Sequence, residues 1–243
     1  MPDKRDHRGP DPRDEVAFGP SSWPALRAAV ADLSWLLSRG YAPVSSLKLV
    51  GDRWSLTERQ RQAVGRSACS DDARDRRMAH RVATDAIAGK KLVIDGFNVL
   101  TTVEAALGGA VVLVCRDTTC RDIAGIHGSY RKVSETRPAL DLLASVLERL
   151  GVHQCHWLFD RPVSNSGRIR GIVLETAAEP KADWSVELLD DPDPILAAST
   201  EIVATADSAI LDAGPPWLNL ARITVETTCL EAMMVDLSGE MAG

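Results

Sequence analysis

The run Leu92-Val93-Ile94-Asp95-Gly96-Phe97-Asn98 constrains this chain more than any other stretch. Three apolar residues read as a buried strand, which stops abruptly at a carboxylate followed by Gly and, two residues later, Asn. Buried parallel strands are near-continuous apolar runs, and open α/β sheets gather their ligands at the carboxyl ends of such strands. An aspartate contributes nothing to a buried strand, so Asp95 either caps a following helix or has chemistry to do.

The texture around this run sets the fold class. From residue 89 onward, apolar segments at 92–94, 111–115, 152–159, 184–188, 201–205 and 223–225 read as strands. Between them, residues 138–150 carry Leu142, Leu143, Val146, Leu147 and Leu150 at helical spacing, stopped by Gly151. Such alternation predicts an α/β domain over residues 89–228, with a mostly parallel sheet and helices on both faces in three layers. Residues 22–88 read differently, as a small helical domain. Leu26, Val30, Leu33 and Leu37 recur at three- and four-residue spacing, Ser55-Leu56-Thr57-Glu58 has the form of a capping box, and Ser70-Asp71-Asp72 opens a further helix. The short segments at 47–56 invite a helix-turn-helix comparison, but no recognition helix follows, and a packing role is the preferred reading. Residues 1–21, charged and Pro-containing at their start, are expected to be a disordered leader, and residues 229–243 a C-terminal tail.

The acids of the α/β half fall at strand ends. Asp95 ends the first strand, Asp117 and Asp122 follow the second, Asp160 ends the third, and Asp207 and Asp212 follow the fifth. At any one of these positions an aspartate also serves as a helix N-cap. Taken together in a parallel sheet, they would lie side by side along one edge. Carboxylates so gathered repel one another and take up protons unless a cation compensates. Hard oxygen donors with few histidines favour Mg²⁺ or Mn²⁺ over zinc. The sequence His153-Gln154-Cys155-His156 has a metal-like look, but strand geometry sends its members to opposite faces.

Composition narrows the classes further. The five cysteines are odd in number and scattered, which suits reduced thiols and a cytoplasmic location. No apolar run approaches the roughly 20 residues of a membrane span, so no membrane partner is expected. The net charge of −6 is unevenly spread: residues 1–90 hold 16 Lys and Arg against 12 Asp and Glu, and the rest 12 against 22. A mildly basic front and an acidic back suit a module that grips nucleic acid beside one that collects metal, and equally suit two solvated surfaces. Phosphate-binding Gly-rich loops and the Gly-x-Ser-x-Gly nucleophile elbow are absent from the sequence, leaving P-loop, dinucleotide and α/β-hydrolase readings without support.

Two segments carry a family resemblance. Val93-Ile94-Asp95-Gly96-Phe97-Asn98-Val99-Leu100 resembles the opening strand of the PIN-like and NYN nuclease superfamily, and Val203-Ala204-Thr205-Ala206-Asp207-Ser208-Ala209-Ile210 resembles its late Thr-x-Asp strand end. More narrowly, the chain is similar to the family known as domain of unknown function 434, through Leu33-Ser34-Trp35-Leu36-Leu37-Ser38-Arg39-Gly40-Tyr41, Leu49-Val50-Gly51-Asp52-Arg53-Trp54, residues 121–131 and Asp160-Arg161-Pro162-Val163-Ser164-Asn165-Ser166-Gly167. The superfamily resemblance implies a PIN-like ribonuclease fold that uses Mg²⁺ or Mn²⁺ to hydrolyse RNA phosphodiesters. It implies Asp95 as central metal ligand, with Asp160 and Asp207 beside it, Glu104 as a helical acid pointing back at the site, and Asp122 and Asp212 as lesser ligand candidates. Asn98, Arg121, Arg131 and the polar helix entrance Ser164-Asn165-Ser166 are the candidate substrate contacts, with RNA or another nucleic acid as partner. The alternative is a scaffold of the same kind that binds nucleic acid or protein without cutting.

Overall fold

A computed structural model describes residues 9–123, 133–178 and 182–239. The helical part comprises α1 (Asp14–Phe18), α2 (Trp23–Ser38), α3 (Pro43–Arg53), α4 (Glu58–Ser67) and α5 (Asp71–Ala79). Proline in the first turn starts α2 and α3, where its missing N–H costs nothing. Helix α4 begins with a capping box, but one formed by Thr57 and Gln60 rather than by Ser55 and Glu58. Ser55 takes a left-handed conformation, φ 49°, that turns the chain before the helix can start. Ser70 caps α5 as its sequence implies, accepting from the Ala73 N–H. The expected leader is ordered at residues 14–18: Phe18 is buried among Leu26, Val30 and Val64, and buried Asp14 pairs with Arg59. That apolar anchor outweighs the polar composition around it.

The rest runs β1 (Lys91–Asp95), α6 (Gly96–Leu107), β2 (Val112–Val114), β3 (Cys120–Asp122), α7 (Thr136–Arg149), β4 (Gln154–Asp160), α8 (Ser166–Ala178), β5 (Asp183–Leu189), α9 (Asp193–Ala197), β6 (Ile202–Ala204), α10 (Ser208–Ala213), β7 (Trp217–Leu218), α11 (Leu220–Thr228) and β8 (Met234–Asp236). Five strands form an all-parallel sheet in the order β5-β4-β1-β6-β7. One face carries Leu92, Ile94, Cys155, Trp157 and Phe159, covered by the apolar sides of α6, α7, α8 and α11. The other carries Val93, Leu158 and Val203, covered by Leu196 of α9 and Ile210 of α10. This is a three-layer α/β arrangement, as the alternation predicts. The sheet's order reverses at β1, since the chain builds outward through β4 and β5 and then returns to β6 on the opposite side.

Two strand expectations are corrected. Residues 223–225 are helical, inside α11, because Leu220, Ala221, Thr224 and Val225 form a buried stripe at helical spacing that overrides the local β-branched run. The fifth parallel strand is instead the two-residue β7. Residues 112–114 do form a strand, but in a second sheet of order β3-β2-β8, antiparallel to β3 and parallel to β8. Residues 234–236 of the expected tail therefore supply an edge of this sheet. Val111, Leu113, Ile123, Val235 and Leu237 share one core with the helical part. Helices α1 to α4 thus close their core on a sheet contributed by the later half of the chain.

Candidate functional site

Strand pleating decides what gathers at the carboxyl edge of the large sheet. Side chains two residues apart share a face. Val93, Leu158 and Val203 face α9 and α10, so Asp95, Asp160 and Thr205, each two residues further on, project to that same side. Asp207 follows at the start of α10, and Asp193 stands at the start of α9. Asp95 and Thr205 flank the point where the strand order reverses, the crevice in which open α/β sheets bind their ligands. Gly96 is required for close packing, because a side chain there would run into the Phe159 ring.

Asp95 is buried and makes no capping bond to α6, so the helix-cap explanation fails for it. Its Oδ2 accepts from the Thr205 hydroxyl at 2.7 Å, and the same hydroxyl accepts from the Asp207 N–H at 3.0 Å. Burial pushes the Asp95 carboxyl up to about 7; the Thr205 bond works against this, and the charges of Asp207, Asp193 and Asp160 add to it. Asp160 and Asp193 are also raised, each first by partial desolvation, then by neighbouring acids including Asp191. Asp207 does cap its helix: its Oδ1 accepts from the N–H groups of Ala209 and Ile210, which leaves Oδ2 without a bond among the described residues. Asn98, one turn into α6, accepts from the Ala206 N–H at 2.8 Å and ties the two loops together. Among the described residues no group of three or more His, Cys, Asp or Glu side chains is placed so that it could hold a metal ion. The carboxylates share a face and an edge, and their donor set is entirely hard oxygen, which suits Mg²⁺ or Mn²⁺ chemically.

The other candidates are distributed as follows. Ser164, Asn165 and Ser166 lead into α8 just beyond Asp160, with Ser166 buried and bonded to the Arg161 carbonyl and Asn165 in the left-handed region, φ 68°. Glu104 lies deep along α6, fully buried, where its Oε1 accepts from the Thr136 hydroxyl of α7 at 2.6 Å. Eight residues of helical rise put it roughly 12 Å from the start of α6. Asp122 belongs to the small sheet and meets Thr101 of α6 at 3.3 Å, away from the parallel edge. Asp212 forms a two-pronged ion pair with Arg77, both contacts 2.8 Å. Arg121 is not a loop donor open to substrate. It is buried, paired with Asp117 and bonded to the carbonyls of Ala206 and Arg66. Its place in the short strand β3 turns it inward. Arg131 lies outside the described residues.

Asp193 was not among the acids that strand ends single out. A signal for it exists in Leu188-Leu189-Asp190-Asp191-Pro192-Asp193-Pro194, an acidic run directly after an apolar strand. The five cysteines are free and buried, and no helix of the described residues is long and apolar enough to cross a membrane.

Comparison with known proteins places the chain among relatives of undetermined role. An uncharacterized protein of Methanocaldococcus jannaschii, MJ0935, is 28% identical over 187 residues, covering 77% of this chain and 89% of that protein. No solved structure matches significantly. Residues 25–80, which span α2 to α5, match the family described as Protein of unknown function (DUF434), so that resemblance holds over the helical segments, whereas residues 121–131 and 160–167, expected to carry it too, fall within a different family model. Residues 84–223, more than half of the chain and the whole of the large parallel sheet, match a second family model, and the chain belongs to that family, Domain of unknown function (DUF5616).

Proposed function

We propose that this protein is a PIN-like, Mg²⁺- or Mn²⁺-dependent ribonuclease that hydrolyses RNA phosphodiesters at the carboxyl edge of its parallel sheet. The observation that carries this reading is the placement of Asp95. Three neighbouring strands deliver Asp95, Asp160 and the Thr205-to-Asp207 turn to one face, where Asp95 is buried among acids that push its carboxyl up to about 7. A carboxylate in that position is held against its own ionisation, and a divalent cation would relieve the cost.

Asp95, Asp160, Asp193 and Asp207 are the residues that would hold the ion. When bound, such an ion supplies a nucleophilic water at neutral pH and neutralises charge on the phosphate oxygens. The chain's own residues orient the site. The Thr205 hydroxyl fixes the rotation of Asp95, and Asn98 holds the Ala206 amide. The Asn98 amide nitrogen has no protein partner among the described residues and can donate to a phosphate oxygen. The start of α8, with Ser164 and Asn165 exposed beside Asp160, offers polar groups to the RNA backbone.

The test is titration of Mg²⁺ and Mn²⁺ into full-length protein with generic single-stranded RNA and DNA, wild type against Asp95→Asn. Metal-dependent RNA cleavage that falls about a hundredfold or more in the variant is the expected result. Cleavage that survives either the substitution or EDTA would place the activity elsewhere. RNA binding without cleavage under every metal would favour a non-catalytic binding module on this scaffold.

A further inference from the structure

The turn that carries Asp207 is gripped from behind. The carbonyl just before Asp207, that of Ala206, accepts from Arg121 Nε at 2.7 Å, and the carbonyl just after, that of Ser208, lies 3.5 Å from an Arg77 nitrogen. The two guanidinium groups converge on a single atom, Asp117 Oδ2, at 2.6 Å from Arg77 and 2.7 Å from Arg121. Asp117 Oδ1 is filled by the amide and hydroxyl of Thr119. Arg77 continues to Asp212 further along α10, so two arginines and two aspartates form a charge-balanced ladder. Asp117 is completely inaccessible to solvent, and both arginines are buried. The ladder joins α5 of the helical part, the β2–β3 hairpin and α10 of the large sheet's outer layer.

We infer that Asp117, Arg77 and Arg121 are positioning residues for the acid edge, fixing the turn at 205–208 so that Thr205 and Asp207 face Asp95. The inference deepens the metal-dependent reading above and rests on it for the consequence in function. A buried ion pair adds little net stability over well-packed apolar residues, because desolvating the charges offsets their attraction. What it supplies is geometry, here at the two carbonyls that bracket one candidate ligand. It also gives the helical part a role beyond packing, since α5 supplies one of the two arginines.

The experiment compares full-length wild type, Asp117→Asn and Arg121→Lys with Asp14→Asn, which breaks the half-buried Asp14–Arg59 pair outside the ladder. Amide hydrogen exchange is read at Asp207, Ala209 and Ile210, whose N–H groups are bonded within this turn, and at Leu143 and Val146 of α7 as an internal reference. Mn²⁺ affinity is measured in parallel with the metal alone. A positioning role predicts that in Asp117→Asn exchange at the turn rises about tenfold or more beyond any rise at the reference amides, which report the loss of global stability, with no such local excess in Asp14→Asn. Turn amides within about twofold of wild type, or equal acceleration everywhere, would overturn it. If Asp117→Asn does not fold, Arg121→Lys decides by the same readings, because it keeps the charge and loses the forked contact. Failure of wild type to bind Mn²⁺ would count against the metal reading alone, leaving the exchange result to decide the positioning role.

Discussion

Asp95 and Asp117 are both buried aspartates that follow an apolar strand, yet they lie at opposite ends of the carboxylate range. Burial acts on both in the same direction, raising the carboxyl. At Asp117 the guanidinium of Arg121, the Thr119 hydroxyl and Arg77 overcome it and hold the group down at about 2. At Asp95 one hydroxyl opposes burial while three neighbouring acids reinforce it, and the group rises to about 7. What surrounds each carboxylate therefore separates an acid held ionised by arginines from one held protonated by burial and like charge. The Thr205-to-Asp207 turn lies between the two environments, held by the arginines on one side and facing Asp95 on the other.

The largest effect is expected from removal of the paired acid. Asp117→Asn leaves Arg77 and Arg121 buried without the carboxylate they share, and loss of one partner from a buried ion pair costs about 3–5 kcal/mol. Urea unfolding at pH 7 should show that loss as a lower midpoint at unchanged slope. A loss below about 1 kcal/mol would mean that solvent or Asp212 replaces the missing charge, and the contrast with Asp95 would collapse.

Removing the unpaired acid should act in the opposite direction. The folded chain keeps a proton on Asp95 up to about pH 7, whereas the unfolded chain releases it near 3.8. Between those values the folded state binds more protons, so stability falls as pH rises across that window. Three pH units correspond to about 4 kcal/mol as an upper limit. Asparagine does not titrate, so Asp95→Asn should be more stable than wild type at pH 8, by up to about 4 kcal/mol, with the difference closing towards pH 4. Asp117, lowered rather than raised, acts in the lower window and loses its contribution as pH falls from about 4 towards 2. Equal stability differences at pH 4 and pH 8 would show that Asp95 is already ionised in the folded chain.

Much of this was legible from residues alone, and the limits are physical. Val93-Ile94-Asp95 and Leu158-Phe159-Asp160 announce strands that end in acids, and the two-residue period assigns their face once the sheet is known. The parallel sheet and its two helical layers follow from the alternation. Sheet membership does not: β2 has three residues, and its placement depends on β8, which lies about 120 residues later. In the sequence Asp117 therefore reads as another edge acid, and Arg121 as a solvent-facing donor, because charge and spacing do not reveal that they bury each other. Residues 223–225 misled for a related reason, since a short β-branched run is decided by what it packs against. Asp193 escaped because three acids crowd the stretch after β5, and Pro192 and Pro194 determine where α9 starts.

A smaller effect is expected at Asp193 itself. Asp193 is exposed, and its carboxylate is the second of the acidic neighbours that raise Asp95, after Asp207. Its side chain accepts no hydrogen bond among the described residues, so Asp193→Asn should cost little stability at pH 4. It should move the pH at which stability declines downward by under about one unit, because one like charge leaves the neighbourhood of Asp95. Asp212→Asn provides the counterpart: it removes a charge of the same sign from the same outer layer, but one already paired with Arg77. If the first substitution shifts the decline and the second does not, the acids that act on Asp95 are those without arginine partners. If Asp193→Asn leaves the decline in place, the edge contracts to Asp95, Asp160 and Asp207, and the start of α9 serves only to cover the sheet.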